Sequence, residues 1–451
     1  MAENLAEKFI DDLFNLAQAG FSESVMLQAK KCLLDYLGVT LAGAKMLEEK
    51  GCRFLDYFGS TQDEATVIGF GRKANLQNAV LMNGICAHVA ELDDGERFGM
   101  MHPGAPVISA LLSLAEREKI SGKNFLLGIT VGYEAALRIA DAIQPSTKER
   151  GYHATGTCGT IGAAIGVAAA LEFTKSQMKD ALSSAATSAA GILKVIEDES
   201  ELKAFNAGQA ACSGLLAATV ARAGFRGPDD VLASDRGFLT VMAEQYDASR
   251  LMPNQGEPLA IEKIYMKPYA ACRHCHPAIE AALKIRSKHG IRPENVKDIK
   301  VITYRWAVGG HEHTQIRGVA SAKMSTPYSV AVALETGKAG LEEFLRPEYI
   351  ENPKIISLAN KVNVCSDDNL TALVPQKRPA IVEITTTENE RYIERVDLPK
   401  GEPESPLTED EVKEKFESLA LYGKKSKKDA EEIIQRVWNI ENELGKLYEL
   451  L

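Results

Sequence analysis

The chain has 451 residues, 45% of them apolar and 25% charged, an ordinary balance for a folded globular protein. Lys and Arg number 52 against 62 Asp and Glu, giving a net charge of −10 and a sequence pI near 5.5. That composition excludes a collagen-like, low-complexity or wholly disordered chain. A net-acidic surface also argues against general nucleic-acid or anionic-membrane binding, while leaving room for a local basic pocket.

No membrane span is expected. The uncharged run 154–171 is dominated by Gly, Ala and Thr, too weakly apolar to cross a bilayer. The opening MAENLAEKF is acidic early and lacks the basic-then-apolar order of a signal peptide. Without such a signal, Cys32, Cys52, Cys86, Cys158, Cys212, Cys272, Cys275 and Cys365 read as reduced thiols of a cytoplasmic protein, most of them small buried hydrophobes.

In chain order, the first 240 residues read as helix after helix. Leu5, Phe9, Leu13 and Leu16 share one helical face, as do Val25, Ala29, Cys32, Leu33, Tyr36 and Leu37 behind the N-cap Ser22. Ile108 to Leu114 continues the pattern after Pro106. Residues 154–221 are dense in Ala, Gly, Ser and Thr, which lets helix backbones approach closely. This zone predicts several buried, tightly packed helices, ended by the turn residues Gly224 to Pro228.

Past residue 250 the pattern changes. Met252 to Pro258 is a loop, and a helix follows Pro277 through Ile279, Ala282, Leu283 and Ile285. Val296 to Tyr304 alternates as a half-buried strand should. A helix spans Tyr328 to Leu334, and a further strand is expected at Lys361 to Cys365. Ile381 to Thr387 and Arg391 to Val396 flank Glu388-Asn389-Glu390 as a hairpin. Pro399 to Pro406 (PKGEPESP) reads as a linker. Thr408 and Glu411 then form a capping box for a last helical stretch, expected to dock back onto the first domain.

Several clusters carry chemistry. Glu91-Leu92-Asp93-Asp94 is too acidic for a core; by itself it reads best as a solvated loop, and otherwise as a site. His102 precedes Pro103 and so projects from extended or turn backbone, fit for acid–base work or anion binding. His153 enters the small-residue zone and is either a capping or core histidine, or a functional one. Gly156, Gly159 and Gly162 do not make a nucleotide loop, because no strand precedes them and the spacing is not GxGxxG. A lone Lys203 is ordinarily solvated, but at the start of an apolar helix it would be buried and require an anionic partner.

The densest cluster runs from Lys267 to Pro277 (KPYAACRHCHP). Cys272-x-x-Cys275-His276 matches a haem-attachment pattern, but no export signal or axial-ligand segment accompanies it. Zinc would use Cys272 and Cys275 with His311 and His313, which lack the paired ligand halves of strong zinc motifs. Non-catalytic metal or haem binding at 272–276 therefore stands as an alternative of another class. The favoured reading is a basic pocket of Lys267, Arg273 and neighbouring histidines, suited to carboxylates. Tyr328 opens an apolar helix, either as core with a satisfied hydroxyl or as a hydrogen-bond donor.

Together LLDYLGVTLAGA (33–44), NGICAHVAELDDG (83–95), HPGAP (102–106), GYHATGTCGTIGAAIGVAAAL (151–171), KAFNAGQAACSGLLAATVARAGFRGP (203–228), KPYAACRHCHPAIEAAL (267–283) and STPYSVAVAL (325–334) resemble the MmgE/PrpD family, in order along nearly the whole chain. Activities in that family include 2-methylcitrate dehydratase, cis-aconitate decarboxylase and iminodisuccinate epimerase. The resemblance implies a mainly α fold, with a large all-helical domain and a smaller α+β lid domain. The expected boundaries are 1–266 with 405–451 for the first and 267–404 for the second. It also implies a homodimer and catalysis on a small polycarboxylate without metal or organic cofactor.

By position, the resemblance implies a site of Glu91, Asp93, His102, His153, Lys203 and Tyr328, with Lys267, Arg273, Cys272 and His276 binding substrate. Two departures stand out. Glu91 occupies a position where the dehydratase and decarboxylase branches begin the acidic motif with Asp. Cys272 replaces a His that the decarboxylase branch carries five residues after the Lys matching Lys267. Cys272-Arg273 with His276 looks more like the branch that includes the epimerase, and this weighs against decarboxylation. The expected chemistry is proton transfer beside a carboxylate, through a carbanion or enolate stabilised by Lys203, Lys267 and Arg273. The lead expectation is a hydro-lyase, with an epimerase or racemase of a substituted succinate as the alternative.

Overall fold

A computed structural model describes residues 4–59, 62–197, 200–254 and 256–451. Gln255 of the 252–258 loop and residues 1–3 lie outside them. The protein is mainly helical, with its larger sheet confined to the C-terminal half. The chain divides into two compact units: Met1–Val195 with Leu202–Tyr265 and Thr408–Leu451, and Ile196–Glu201 with Met266–Leu407.

The first unit is built around two apolar helices, Gly122–Ile143 and Ala154–Ala170, of which the second is buried along its whole length. They meet backbone to backbone. A Cβ added at Gly128 would lie 2.8 Å from the Gly166 carbonyl oxygen, and one at Gly132 would lie 2.8 Å from that of Gly162. The reciprocal approaches from Gly166 and Gly162 are 2.7 and 2.8 Å. Glycines four apart on each helix therefore form two interlocking notches, the physical reason for the small-residue zone. Leu202–Arg222 packs against Ala154–Ala170 in the same way, whereas Lys175–Ser188 is amphipathic and buries only one face.

Local signals explain the element ends. Ser22 accepts from the Val25 amide at the start of Glu23–Met46, and Thr408 forms a reciprocal capping box with Glu411. The first helix, Leu5–Ala19, buries Ala6, Phe9, Ile10 and Leu13, a face rotated slightly from the 5-9-13-16 expectation. The final helices belong to the first unit. Lys415 ties Glu409–Tyr422 to Glu23–Met46 through Asp35 at 2.5 Å, and to the Leu92 carbonyl at 2.7 Å.

The all-helical reading of the first 240 residues missed one hairpin. Strands β1 (Ala65–Val67) and β2 (Arg72–Ala74) pair antiparallel, Val67 opposite Arg72. Three-residue strands are too short for alternation to register, and the turn between them runs through Gly69 and Gly71, both at positive φ.

The second unit carries a four-stranded sheet in the order β4-β3-β5-β6, from β3 (Val296–Thr303), β4 (Val362–Ser366), β5 (Ala380–Thr386) and β6 (Arg391–Val396). The β3–β4 pair is parallel and the others are antiparallel. Helix His276–His289, with Pro277 in its first turn, covers β5 and β6, and Thr326–Thr336 packs beside it. The 399–406 segment is not a loose linker. Glu402, fully buried, pairs with Arg273 at 2.7 Å, and Lys400 donates its amide to Glu280 at 2.6 Å.

Candidate active site

Helix Leu76–Val89 ends at Ala90, and the chain then turns through Glu91 at φ 57°, a left-handed conformation usually left to glycine. The turn drives Glu91, Asp93, Asp94 and Glu96 inward, each no more than 6% exposed. This corrects the solvated-loop reading of 91–94. Buried carboxylates need partners, and each here has a specific one. Glu91 pairs with Lys203. Asp93 Oδ2 meets His88 Nδ1 at 2.6 Å and lies 3.6 Å from His102 Nδ1. Asp94 accepts from the Tyr133 hydroxyl at 2.6 Å and the Gly104 amide at 3.1 Å. Glu96 accepts from the Phe98 amide at 3.0 Å and from Gly99.

His102 sits two residues before helix Gly104–Glu118. Its amide donates to Thr155 Oγ1 at 3.1 Å, and its Nδ1 contacts the Asp94 carbonyl at 2.6 Å. A carbonyl only accepts, so Nδ1 carries a proton, and in the neutral form of the ring Nε2 presents the lone pair. The ring is 13% exposed. Asp94 thus orients His102 through its backbone, while its carboxyl, pushed up to about 8 chiefly by burial, is held by Tyr133 and Gly104.

His153 is the N-cap of Ala154–Ala170 and has the opposite tautomer. Asn206 approaches its Nδ1 at 3.2 Å. With the amide NH2 donating there, Nδ1 accepts and Nε2 carries the hydrogen. Burial, followed by the neighbouring His88 and Lys203, pulls the His153 pKa down to about 3. The ring is therefore a neutral hydrogen-bond donor at physiological pH. Lys203 and Asn206 occupy the first turns of Leu202–Arg222, three residues apart and so on one face.

His88 completes the group. Its ring is fully buried, 5.0 Å from the His102 ring centroid and 6.1 Å from that of His153. Among the described residues its Nε2 meets no hydrogen-bond partner. The first unit thus brings together five expected residues, Glu91, Asp93, His102, His153 and Lys203. Asp94, the last residue of the acidic motif, joins them, and the structure adds His88 and Asn206, which residue-by-residue reading did not single out. The available signals were slight: a histidine five before Asp93 and an asparagine three after Lys203.

The other expected residues lie in the second unit. Tyr328 is fully buried and donates its hydroxyl to the Glu343 carbonyl at 2.7 Å, the placement of a core tyrosine. Lys267 is fully buried. Arg273 donates to Glu402, to the Pro399 and Lys400 carbonyls, and to His276 Nδ1 at 2.8 Å. His276 Nε2 reaches the Ala271 carbonyl at 3.1 Å, so both its nitrogens are engaged. Arg273, held by His276, thereby clamps the 399–402 turn. Cys272 is partly buried, its Sγ 3.9 Å from His311 Nε2. Cys275 instead accepts from Thr326, and His313 lies against Gly310 and Ser321, so of the four residues of the zinc reading only Cys272 and His311 meet.

Among the described residues, no helix is long and apolar enough to cross a membrane. Comparison with known proteins covers most of the chain. The MmgE/PrpD N-terminal domain matches residues 11–251 and the MmgE/PrpD C-terminal domain residues 269–440. A "Cis-aconitate decarboxylase-like protein oryM" of Aspergillus oryzae is 26% identical, over 92% of this chain and 90% of its own. A "Cis-aconitate decarboxylase" of Aspergillus terreus is 26% identical over 90% and 87%, and one of Homo sapiens 23% over 93% and 88%. By both domain matches, the chain belongs to the MmgE/PrpD family.

Proposed function

We propose that this protein is a lyase acting on a small di- or tricarboxylate, beginning with removal of the proton on the carbon beside a carboxylate. The observation that carries this reading is the pair of histidines of opposite tautomer flanking His88, with Lys203 alongside. His102 Nε2 offers the lone pair that takes the C–H proton. The C–H electrons move into the neighbouring carboxylate, forming an enediolate. His153 Nε2–H donates a neutral hydrogen bond to that developing charge, and Lys203 supplies a cation. Glu91 balances Lys203 until a substrate carboxylate competes for it.

Collapse of the enediolate with loss of a β-hydroxyl as water, protonated on departure, gives an alkene. This hydro-lyase outcome is the lead reading, although Glu91 departs from the Asp of the dehydratase and decarboxylase branches and Cys272-Arg273 with His276 looks more like the branch that includes the epimerase. Two other outcomes are open. Relatives named for cis-aconitate decarboxylation support a different start on a tricarboxylate, in which the C–C bond to a carboxylate breaks, CO2 leaves, the electron pair stays on carbon as a carbanion stabilised by the same cation, and a proton is then added to it. Return of the proton to the opposite face would epimerise a substituted succinate.

Incubation in deuterium oxide with hydroxy-tricarboxylates, unsaturated tricarboxylates and substituted succinates, followed by NMR, separates them. A hydro-lyase makes or consumes vinylic signals with water exchange. A decarboxylase releases CO2 and retains one solvent deuteron in the product. An epimerase exchanges the α-proton without a new alkene. Activity on any of these that survives in His102→Ala at the wild-type rate would sink the base assignment.

A further inference from the structure

The second unit holds a cluster that the acid–base reading does not use. Cys272, His274 and His311 each offer a ligand atom, and the three atoms lie within 4.8 Å of one another. We propose that these residues form a binding site for a zinc-class divalent cation, one thiolate and two imidazoles with a fourth position open to water or a carboxylate oxygen. The zinc reading of the sequence joined Cys272 and His311 to Cys275 and His313, of which the latter two are engaged elsewhere, and it left out His274.

The arrangement around the ligands is what a metal requires. His311 Nδ1 contacts the Met324 carbonyl at 2.7 Å, so it carries the proton and Nε2 turns its lone pair toward Cys272 Sγ, 3.9 Å away. His274 Nδ1 is held by the Tyr304 hydroxyl at 2.7 Å, which makes Nε2 its metal-facing nitrogen. Such outer partners fix the orientation of ligating imidazoles. The ligands are also tied to one short segment: the Cys272 amide donates to the Lys323 carbonyl at 2.8 Å, and the Thr326 amide to the His311 carbonyl at 2.8 Å. Tetrahedral zinc, with Zn–S about 2.3 Å and Zn–N about 2.0–2.1 Å, holds sulfur and nitrogen roughly 3.5 Å apart. Small side-chain rotations from the observed 3.9 Å reach that value. A borderline-soft cation suits the mixed donor set better than magnesium or calcium, which prefer oxygen.

Cobalt(II) titration of the purified, chelator-treated full-length protein tests this. The expected result is one equivalent bound with four-coordinate d–d bands and a near-ultraviolet thiolate-to-cobalt charge-transfer band. The charge-transfer band is lost in Cys272→Ser and His311→Gln and kept in Cys275→Ser. Tyr304→Phe weakens binding about tenfold or more, as removal of an outer partner does. X-ray absorption of the zinc-loaded wild-type protein, which needs no variant to fold, should show one sulfur and two imidazoles. A cobalt spectrum without the charge-transfer band, the signature of binding at His88, Asp93 and His102 instead, overturns the proposal. So does a band that survives Cys272→Ser, an absorption shell without sulfur, or failure to bind cobalt at all. None of these readouts depends on the reaction assigned to the first unit.

Discussion

Asn206 and His153 are joined by one hydrogen bond of 3.2 Å, from a side-chain amide to Nδ1, and that contact decides which imidazole nitrogen carries the hydrogen. Asn206→Asp reverses it. A carboxylate accepts, so Nδ1 would become the protonated nitrogen and the imidazolium would be favoured. The expected outcome is a kcat lowered by about 10- to 100-fold and a new ionisation in the kcat–pH profile. Asn206→Leu should lower kcat without adding that ionisation, which separates tautomer from packing.

The same residue predicts a pH effect on stability. The His153 pKa falls from 6.5 to about 3 on folding, mainly by burial. The unfolded chain therefore binds the proton first. The stabilisation is complete above about pH 6.5 and is lost as pH falls toward 3. Urea midpoints across this window should fall less steeply with acid in His153→Gln than in the wild type.

Asp94 works in the opposite direction. Its folded pKa is raised from 3.8 to about 8. Below about pH 4 both states are protonated. Between about 4 and 8 the unfolded chain ionises while the folded one keeps its proton, so this group makes stability decline as pH rises, and the decline ends above about 8. Asp94→Asn should flatten that slope, measured as the difference in urea midpoint between variant and wild type at pH 5 and pH 8.

Gly104 presses on the same carboxyl. A Cβ there would lie 2.8 Å from Asp94 Oδ1 and 2.9 Å from the Tyr133 hydroxyl. Gly104→Ala should cost about 1–3 kcal/mol by overpacking and reduce kcat by displacing the carbonyl that orients His102. Calorimetry and steady-state kinetics on one preparation read both effects.

Glu91 holds a left-handed φ of 57°. Glu91→Gly and Glu91→Ala both remove the carboxylate that pairs with Lys203, but only Ala keeps the backbone strain. The Gly variant should therefore be the more stable of the two by about 1–2 kcal/mol, while both lose activity. Equal melting temperatures would show that the turn is not strained.

Some features were legible because they are local. The strand alternation at 296–304, the 381–396 hairpin, the caps at Ser22 and Thr408 and the small-residue zone all act within a few residues of where they are written. The first hairpin was not legible, since three-residue strands are shorter than the pattern that announces them. The acidic turn at 91–94 read as solvated because composition records its charge but not the Lys203, His88, Tyr133 and Gly104 groups that neutralise or satisfy it from elsewhere in the chain. Arg273 read only as a member of a carboxylate-binding pocket because its partner in the fold, Glu402, lies 129 positions away.

The amino-acid sequence by itself determined the helical character of the first part, the mixed character of the second, and the residue types available for carboxylate chemistry, because periodicity, capping and composition are properties of neighbours along the chain. Tertiary structure alone decided which histidine presents a lone pair and which a proton, and which cysteine stands beside two imidazoles. A neutral imidazole has two tautomers of nearly equal energy in water. Only a partner fixed in space, the Asp94 carbonyl for His102 and the Asn206 amide for His153, selects one of them.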